Sequence, residues 1–416
     1  MIKKIKNSIR NLLIKTQKIT GTDNIYIATH GSYLGIGNII GTISSLLLAM
    51  AFARLLPKET YGNYRYILSI MAIVAITALS GMETAIIQAT ARGYEGTFKK
   101  ILKTRFRWAL MGSIATIIVG IYFLVKNNAS LSISFFIAAI FFPIIQSASS
   151  YSSYLTGKKL FGIQVKYSTL LQIISALFLI TTMFLTKNLI ILVSVYFVSN
   201  ALLNIFFLLR TLKKNPPNNN SDDASVVFGK HMTVMDIIVT IGSQLDKILL
   251  FNFLGASELA IYSFVDLPVR AINEFLSIIR ALALPKLSAR TREEIKKTLL
   301  KKVLKFFLIL IPIIAAYILI APLFYKIFFP EYMQSVFYSQ IYVFTLIAFP
   351  FTVLALSFEA KMMKKELYKL NIISPVIKII FMVVLLPIYG LLGLILAQVL
   401  SRIADIAIIS MLFRKV

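Results

Sequence analysis

Apolar runs of about 20 residues recur from end to end of the chain, and short polar segments separate them. A helix of about 20 apolar residues crosses the hydrocarbon core of a bilayer, which is roughly 30 Å thick. The pattern therefore predicts an all-α polytopic membrane protein with twelve transmembrane helices. Their expected bounds are 32–55, 64–89, 108–125, 131–156, 163–186, 188–210, 231–254, 259–284, 303–325, 334–358, 368–387 and 391–412.

The predicted helices fall into two sets of six, separated by a polar stretch centred on PPNNNSDD. This division predicts an N-terminal half over 1–210, a flexible cytoplasmic linker over 211–229 and a C-terminal half over 230–416. Short matches support a duplication: Tyr64 falls on Tyr262 at an offset of 198 residues. Two halves with an even number of helices are expected to be parallel repeats, related about an axis along the membrane normal.

The net charge of +27 first suggests a nucleic-acid partner. The basic residues instead concentrate in alternate connections between apolar runs, with 33 of the 44 in one set and six in the other. Cytoplasmic loops of membrane proteins carry such an excess. We therefore expect no nucleic acid and place both termini in the cytoplasm. Residues 1–20 fit either an amphipathic helix on the membrane surface or a frayed basic tail.

Several kinds of chemistry are disfavoured by what the sequence lacks. There is no cysteine, and the two histidines, His30 and His231, are far apart, so we expect neither thiolate chemistry nor a histidine metal site. The GxxxxGK[ST] nucleotide-binding loop is absent. The predicted outer loops are too short to hold a catalytic domain, which disfavours a membrane enzyme that polymerises glycans. We expect no enzymatic activity and no cofactor.

Charged residues nevertheless lie inside the predicted helices, where each costs roughly 2.5–3.5 kcal/mol on insertion scales. On the eighth helix, at about 100° per residue, Asp266, Arg270, Glu274 and Arg280 share an arc of roughly 120°. Two interpretations remain open for these charges. They form self-neutralising ion pairs between packed helices, or they line a hydrated cavity whose cations attract an anionic ligand. Candidate cations for that cavity are Lys247, Arg270, Arg280 and Lys378.

Some carboxylates could couple transport to protons or sodium by titrating or binding the ion. The candidates are Glu83, Asp236, Asp246, Asp266 and Glu274. Arg54 and Arg65, at the outer ends of the first two helices, fit interfacial anchors. The hydroxyl-rich segment 147–157 fits either sugar binding or packing between helices.

Three segments together resemble a known family: LLPKETYGNY (55–64), SQLDKILLFNFLGASELAIYSF (243–264) and FFPEYMQS (328–335). They are similar to the polysaccharide transporters of the multidrug/oligosaccharidyl-lipid/polysaccharide exporter superfamily, in particular to the O-antigen flippase (Wzx-type) branch. The QxDK element over 244–247 is the most specific of these motifs.

That resemblance implies two six-helix halves around a central cavity that opens alternately to each side of the bacterial inner membrane. The implied cargo is an undecaprenyl-diphosphate-linked oligosaccharide, an O-antigen or capsule repeat unit, held by the cavity cations. Implied partners are membrane lipids and the polymerase and chain-length proteins of the same glycan pathway. A cation-coupled multidrug-type exporter of small molecules is the alternative within the superfamily.

Overall fold

The computed structural model describes residues 24–288 and 290–414, and within them the chain is helical with no β-strand. The amphipathic segment predicted over 1–20 lies outside the described residues. The α-helices are α1 (Asn24–Leu55), α2 (Lys58–Val74), α3 (Met82–Ala91), α4 (Thr97–Val125), α5 (Ala129–Ala148), α6 (Tyr151–Gly157), α7 (Phe161–Leu185), α8 (Leu189–Lys214), α9 (Asp223–Leu254), α10 (Ala256–Ser288), α11 (Arg292–Phe328), α12 (Ser335–Tyr342), α13 (Phe349–Ala360) and α14 (Lys364–Phe413).

Across the described residues, eight helical segments are long and apolar enough to cross a membrane, or nine when the bent pair α2–α3 is added. The all-helical membrane class predicted from the sequence is therefore confirmed, whereas this criterion does not reproduce the count of twelve. Part of the difference lies in α14, which contains a non-helical residue at Gly390 and merges two helices. Part lies in α10, because charged residues recur along it.

One predicted span is broken at mid-length. Helices α2 and α3 meet at an angle of 50°, and Leu79 between them is left-handed with φ of 60°. Such a break frees backbone groups from the helical ladder, and in the membrane these groups need partners. The fully buried Arg105 of α4 supplies one, since its Nε donates to the carbonyl of Ala78 at 3.2 Å.

The connection between α8 and α9 is shorter than the linker predicted over 211–229, because both helices continue into that range. Its residues are hydrogen-bonded to the turn between α3 and α4. The amide of Gly96 donates to the carbonyl of Asn220 at 2.7 Å, and the side chain of Asn218 donates to the carbonyl of Gly93 at 2.9 Å. This end of the bundle, which includes 92–96, 215–222 and 361–363, is called the inner end because the charge pattern predicts it to be cytoplasmic.

The opposite end includes 55–58, 254–256 and 328–334 and is called the outer end. Here the two predicted halves are in direct contact. Tyr66 stacks on Phe251 with ring centroids 3.7 Å apart, and Tyr61 packs on Phe264. Gly62 of α2 lies so close to Ala256 of α10 that a Cβ atom at Gly62 would overlap the carbonyl of Ala256. The outer end is therefore closed by aromatic and backbone packing.

Candidate substrate cavity

Three cavities lie along α10, and they share lining residues. We call the first, of about 660 Å³, the basic cavity. The second, of about 550 Å³, is the apolar cavity. The third, of about 850 Å³, is the neutral cavity, named for its amide and hydroxyl side chains. Arg270 lines the first two, and Glu274 lines the last two. The three cavities therefore adjoin one another along one helix.

The basic cavity brings together all four cations that the sequence singled out. Lys247 comes from α9, Arg270 and Arg280 from α10, and Lys378 from α14. Every residue that lines this cavity lies between Val239 and Ile409, within the predicted C-terminal half. Four cations spread over about 130 residues of sequence thus share one space.

The QxDK element folds onto itself at one wall of this cavity. The buried carboxylate of Asp246 accepts hydrogen bonds from the Tyr262 hydroxyl at 2.7 Å and from Gln398 Nε2 at 3.0 Å. Lys247 lies beside it, and its Nζ donates to Gln244 Oε1 at 3.0 Å. A buried charge is tolerated when it is paired and hydrogen-bonded, which is the situation of Asp246.

Lys378 reaches the same wall from α14. Its Nζ donates to the carbonyl of Gly242 at 3.0 Å, and it interacts electrostatically with Asp246. Lys378 has no acidic residue within four positions in the sequence. Its acidic partner, Asp246, is therefore supplied by another helix.

Arg270 forms an ion pair with Asp266 one turn earlier on α10. The Tyr342 hydroxyl donates to the other oxygen of Asp266 at 3.2 Å. The Arg270 side chain is 46% exposed while that of Asp266 is 14% exposed. The guanidinium of Arg270 is thus accessible from the cavity, while the carboxylate of Asp266 is less exposed and is hydrogen-bonded by Tyr342.

The two interpretations of the helix charges therefore describe the same residues. An ion pair exists within α10, and the residues also line a cavity. Among the described residues, the lining holds five basic and four acidic side chains: Lys247, Arg270, Arg280, Lys378 and Arg402 against Asp246, Asp266, Glu359 and Asp405. The formal excess is one positive charge, and Asp246, Asp266 and Asp405 are already hydrogen-bonded to protein donors.

The five candidate coupling carboxylates separate into two groups. Asp246 and Asp266 line the basic cavity, and Glu274 lines the other two cavities. Glu83 and Asp236 line none of the three. Glu83 accepts a hydrogen bond from Arg105 at 3.2 Å, and Asp236 accepts one from the Ser80 hydroxyl at 2.9 Å. Both of these contacts brace the break between α2 and α3.

The sequence analysis did not identify Arg65 as a cavity residue. It lines the apolar cavity together with Arg270, and its buried Nε has no hydrogen-bond partner among the residues that the structure describes. It also interacts electrostatically with Lys247. The one available signal was its spacing of four residues from Tyr61, which lines the same cavity.

The hydroxyl-rich segment 147–157 is largely packed against protein rather than open to a cavity. The Ser150 hydroxyl accepts from Arg105 at 2.8 Å, and Ser152 accepts from Gln164 at 2.9 Å. Tyr151, Ser153 and Tyr154 are buried. Of the two readings of this segment, the structure supports packing between helices.

The fold is that of a known class of helical membrane transporters. It is similar to the solved structure of "Lipid II flippase MurJ, inward closed conformation", with a TM-score of 0.69 and 13% identity, covering 91% of this chain and 86% of that one. It is also similar to an inward-facing multidrug resistance MATE family transporter of the MOP superfamily, with a TM-score of 0.65 and 13% identity, covering 93% and 98%. At a sequence identity of 13%, this structural similarity shows a shared fold and nothing about function.

The sequence itself gives the family. The model of the family described as polysaccharide biosynthesis protein matches residues 27–289, more than half of the chain, and the protein belongs to that family. A Shigella flexneri protein with the provisional name O-antigen transporter is 24% identical over 331 residues, which cover 72% of this chain and 77% of that protein. The resemblance found in the sequence motifs is confirmed.

Proposed function

We propose that the protein is a flippase that moves an undecaprenyl-diphosphate-linked oligosaccharide across the bacterial cytoplasmic membrane. The observation that carries this proposal is the convergence of Lys247, Arg270, Arg280 and Lys378 on one cavity. A diphosphate offers several oxygen acceptors and negative charge, and hydrogen bonds between charged groups are roughly twice as strong as neutral ones. Arginine, with a planar fork of donors, suits phosphate particularly well.

The proposed path keeps the polyprenyl tail in the bilayer while the head group passes through the cavities. Contacts at the outer end, including Tyr66 on Phe251, support a state closed to the outside. In the proposed cycle, the two six-helix halves rock so that the cavity opens to one side and then to the other.

We also propose twelve crossings for this architecture. The helices that meet the span criterion account for eight, and the bent pair α2–α3 for a ninth. Helices α1 and α10 are 32 and 33 residues long, long enough to cross. The break at Gly390 divides α14, which is already counted once, into two crossings and so adds the twelfth. This arrangement puts both termini in the cytoplasm and each six-helix half on one side of the 215–222 connection.

Coupling to protons or sodium would act through a carboxylate on the path. Asp266 is the candidate that the contacts favour, because it lines the basic cavity and is paired with the arginine proposed to hold phosphate. Release of Asp266 from Arg270 would change the charge offered to the cargo.

The test compares Arg270→Gln with the double variant Asp266→Asn/Arg270→Gln in cells that depend on the chain for surface glycan. If Arg270 serves only to neutralise Asp266, removal of both charges restores export. If Arg270 holds the diphosphate, export fails in both variants although both proteins accumulate, and the purified variants also lose binding of undecaprenyl diphosphate. Failed export by the double variant with that binding intact would instead reflect loss of the coupling carboxylate Asp266. Lys126→Ala, an exposed cation outside the cavities, is the matched control and should export normally. Full export by Arg270→Gln together with Lys378→Gln would overturn the proposal.

A multidrug-type exporter is the second candidate. The observation that favours it is the apolar cavity, whose lining includes Phe52, Tyr61, Tyr317 and Phe324. Aromatic walls bind the flat organic cations that such transporters move. A deletion strain that becomes sensitive to a panel of cationic drugs, with surface glycan unchanged, would favour this function over the flippase.

A further inference from the structure

One face of α7 presents polar side chains to the neutral cavity. Gln164, Ser168 and Gln172 are spaced by four residues and so lie on one side of the helix, with Thr169 beside them. The opposite side carries apolar side chains that are exposed on the outer surface of the bundle, including Leu170 and Leu177. A helix with this division has a lipid side and a cavity side.

Helix α1 forms the facing wall and is built from small residues at the contact. Gly37 and Gly41 lie against Val165 and Gln172, and a Cβ atom at Gly41 would come within 2.8 Å of Gln172 Oε1. Gln172 Nε2 donates to the carbonyl of Gly41 at 3.1 Å. The amide of Gln172 is therefore held in place while the residue itself stays exposed.

The chemistry of this wall differs from that of the basic cavity. Its polar side chains, those of Thr42, Ser45, Gln164, Ser168, Thr169 and Gln172, are neutral groups that both donate and accept hydrogen bonds. Among the residues that the structure describes, its lining contains no lysine or arginine, and its one charged residue is Glu274. A phosphate would find a carboxylate here and no cation. The hydroxyl groups of an uncharged polyhydroxyl ligand could donate hydrogen bonds to these side chains and also accept hydrogen bonds from them.

The position of the wall relative to Arg270 sets its role. Glu274 follows Arg270 by four residues on α10, a rise of about 6 Å along the helix. A ligand with its phosphates at Arg270 would place the group attached to them beside Glu274 and then against α7. The exposed ring of Phe275 borders the same space and offers an apolar surface for one face of a sugar.

We propose that this α7 surface is the glycan subsite: it binds the first sugars of the head group while the basic cavity holds the diphosphate. The subsite rests on the proposed flippase function and adds a division of labour to it. The C-terminal half supplies charge, which any diphosphate lipid would satisfy, and the N-terminal half supplies hydrogen bonds that discriminate between sugars.

The test measures binding of two probes to the purified full-length chain in detergent. One probe is undecaprenyl diphosphate, and the other is the lipid-linked repeat unit extracted from a transporter-deficient strain of the source bacterium. The variant Thr169→Val/Gln172→Met removes polar groups at nearly constant volume. The control Thr182→Val removes a buried hydroxyl from the same helix away from the cavity.

Loss of two or so hydrogen bonds predicts about tenfold weaker binding of the glycolipid by the double variant. Binding of undecaprenyl diphosphate should not change, and the control should match the wild type for both probes. Equal loss of both probes, or loss of neither, would overturn the glycan subsite and leave the flippase standing. Failure of the wild type to bind either probe would overturn the proposed function and the subsite with it.

A second readout uses the absence of cysteine from the chain. The variant Val165→Cys places a thiol in the lining of the neutral cavity without removing a proposed hydrogen-bonding group. It should react with a water-soluble thiol reagent in cells, and accumulation of the native glycolipid should slow that reaction. The variant Leu177→Cys, on the lipid side of α7, should react slowly whether or not glycolipid accumulates. Unchanged labelling of Val165→Cys when the glycolipid accumulates would contradict the subsite.

Discussion

The hydroxyl of Tyr262 donates a 2.7 Å hydrogen bond to the buried carboxylate of Asp246, and so joins α10 to α9 beneath the basic cavity. Gln398 of α14 donates to the same carboxylate oxygen at 3.0 Å. Three helices thus converge on one charge. Lys247 and Lys378 interact with that charge electrostatically, so the position of the cavity cations depends on the hydrogen bonds made to Asp246.

The first prediction concerns this network. Tyr262→Phe removes a donor from a buried carboxylate, and hydrogen bonds to charged groups contribute about 1.5–3 kcal/mol in soluble proteins and less in membranes. We expect the variant to lose about 1–2 kcal/mol of stability in a thermal melt in detergent. Gln398→Leu should lose a similar amount, and the double variant should deviate from additivity, since both donors serve one oxygen.

The control for that cycle is Tyr389→Phe, because Tyr389 is exposed and distant from Asp246 in sequence. Its melting temperature should equal that of the wild type. Strict additivity of Tyr262→Phe and Gln398→Leu would mean that the two donors act independently.

A second prediction separates Glu83 from Arg105. The Arg105 side chain is 1% exposed and that of Glu83 is 52% exposed. Arg105→Gln leaves the carbonyl of Ala78 short of a donor at the break between α2 and α3, and should cost about 2–4 kcal/mol. Glu83→Gln should cost less than about 1 kcal/mol, as exposed ion pairs do. If Glu83→Gln still exports glycan, Glu83 is not a coupling carboxylate. If export is lost although the variant protein is stable, Glu83 remains a coupling candidate.

Hydropathy and charge spacing were sufficient to predict the membrane class, because both follow from the bilayer itself, whereas the family was predicted from the resemblance of three short segments. Apolar length is set by membrane thickness and the cation bias by topology, so neither depends on tertiary contacts. The break at Gly390 falls in the gap predicted between 368–387 and 391–412, whereas the break at Leu79 was not predictable, because it depends on a partner distant in sequence. Arg105, which supports that break, lies 27 residues from the carbonyl it binds.

The site was predicted unevenly for a similar reason. Charges inside apolar runs are costly, so Lys247, Arg270, Arg280 and Lys378 stood out. Neutral amides such as Gln172 cost less to place in the membrane, so they did not stand out in the sequence. The contact of Arg65 with the apolar cavity was not predicted either, because it is set by the approach of α2 to α10.

A third prediction concerns pH and the inner end. Burial raises the pKa of the Glu95 carboxyl, but hydrogen bonds from Lys158, Tyr154 and the amide of Asn218 outweigh it, so the pKa is lowered overall. The pKa of Glu95 is lower in the folded protein than in the unfolded chain, where a glutamate has a pKa of about 4.3, so its ionised form stabilises the fold above that pH. This stabilisation is lost as the pH falls through the pKa of Glu95 in the folded protein. Melting temperature should therefore drop more steeply below about pH 4.3 in the wild type than in Glu95→Gln.

Glu366→Gln, which also removes an inner-end carboxyl, is the control for nonspecific effects of charge. Its pH profile should run parallel to the wild type. Parallel profiles for wild type and Glu95→Gln would show that the contact with Lys158, at 3.0 Å in the structure, contributes nothing to stability.

The last prediction concerns the contact that closes the outer end. Gly62→Ala places a methyl group against the backbone carbonyl of Ala256, which cannot move aside as a side chain can. Such overpacking typically costs about 1–3 kcal/mol, and here it acts across the two halves, so we expect it to favour the outward-open state. Labelling of a single cysteine at Leu259, fully buried in the closed structure, by an impermeant reagent should increase several-fold. Gly35→Ala is the matched control, because no atom of the described residues lies within 4 Å of its added methyl group. If Gly62→Ala melts and labels like Gly35→Ala, the close approach of α2 and α10 does not hold the outer end shut.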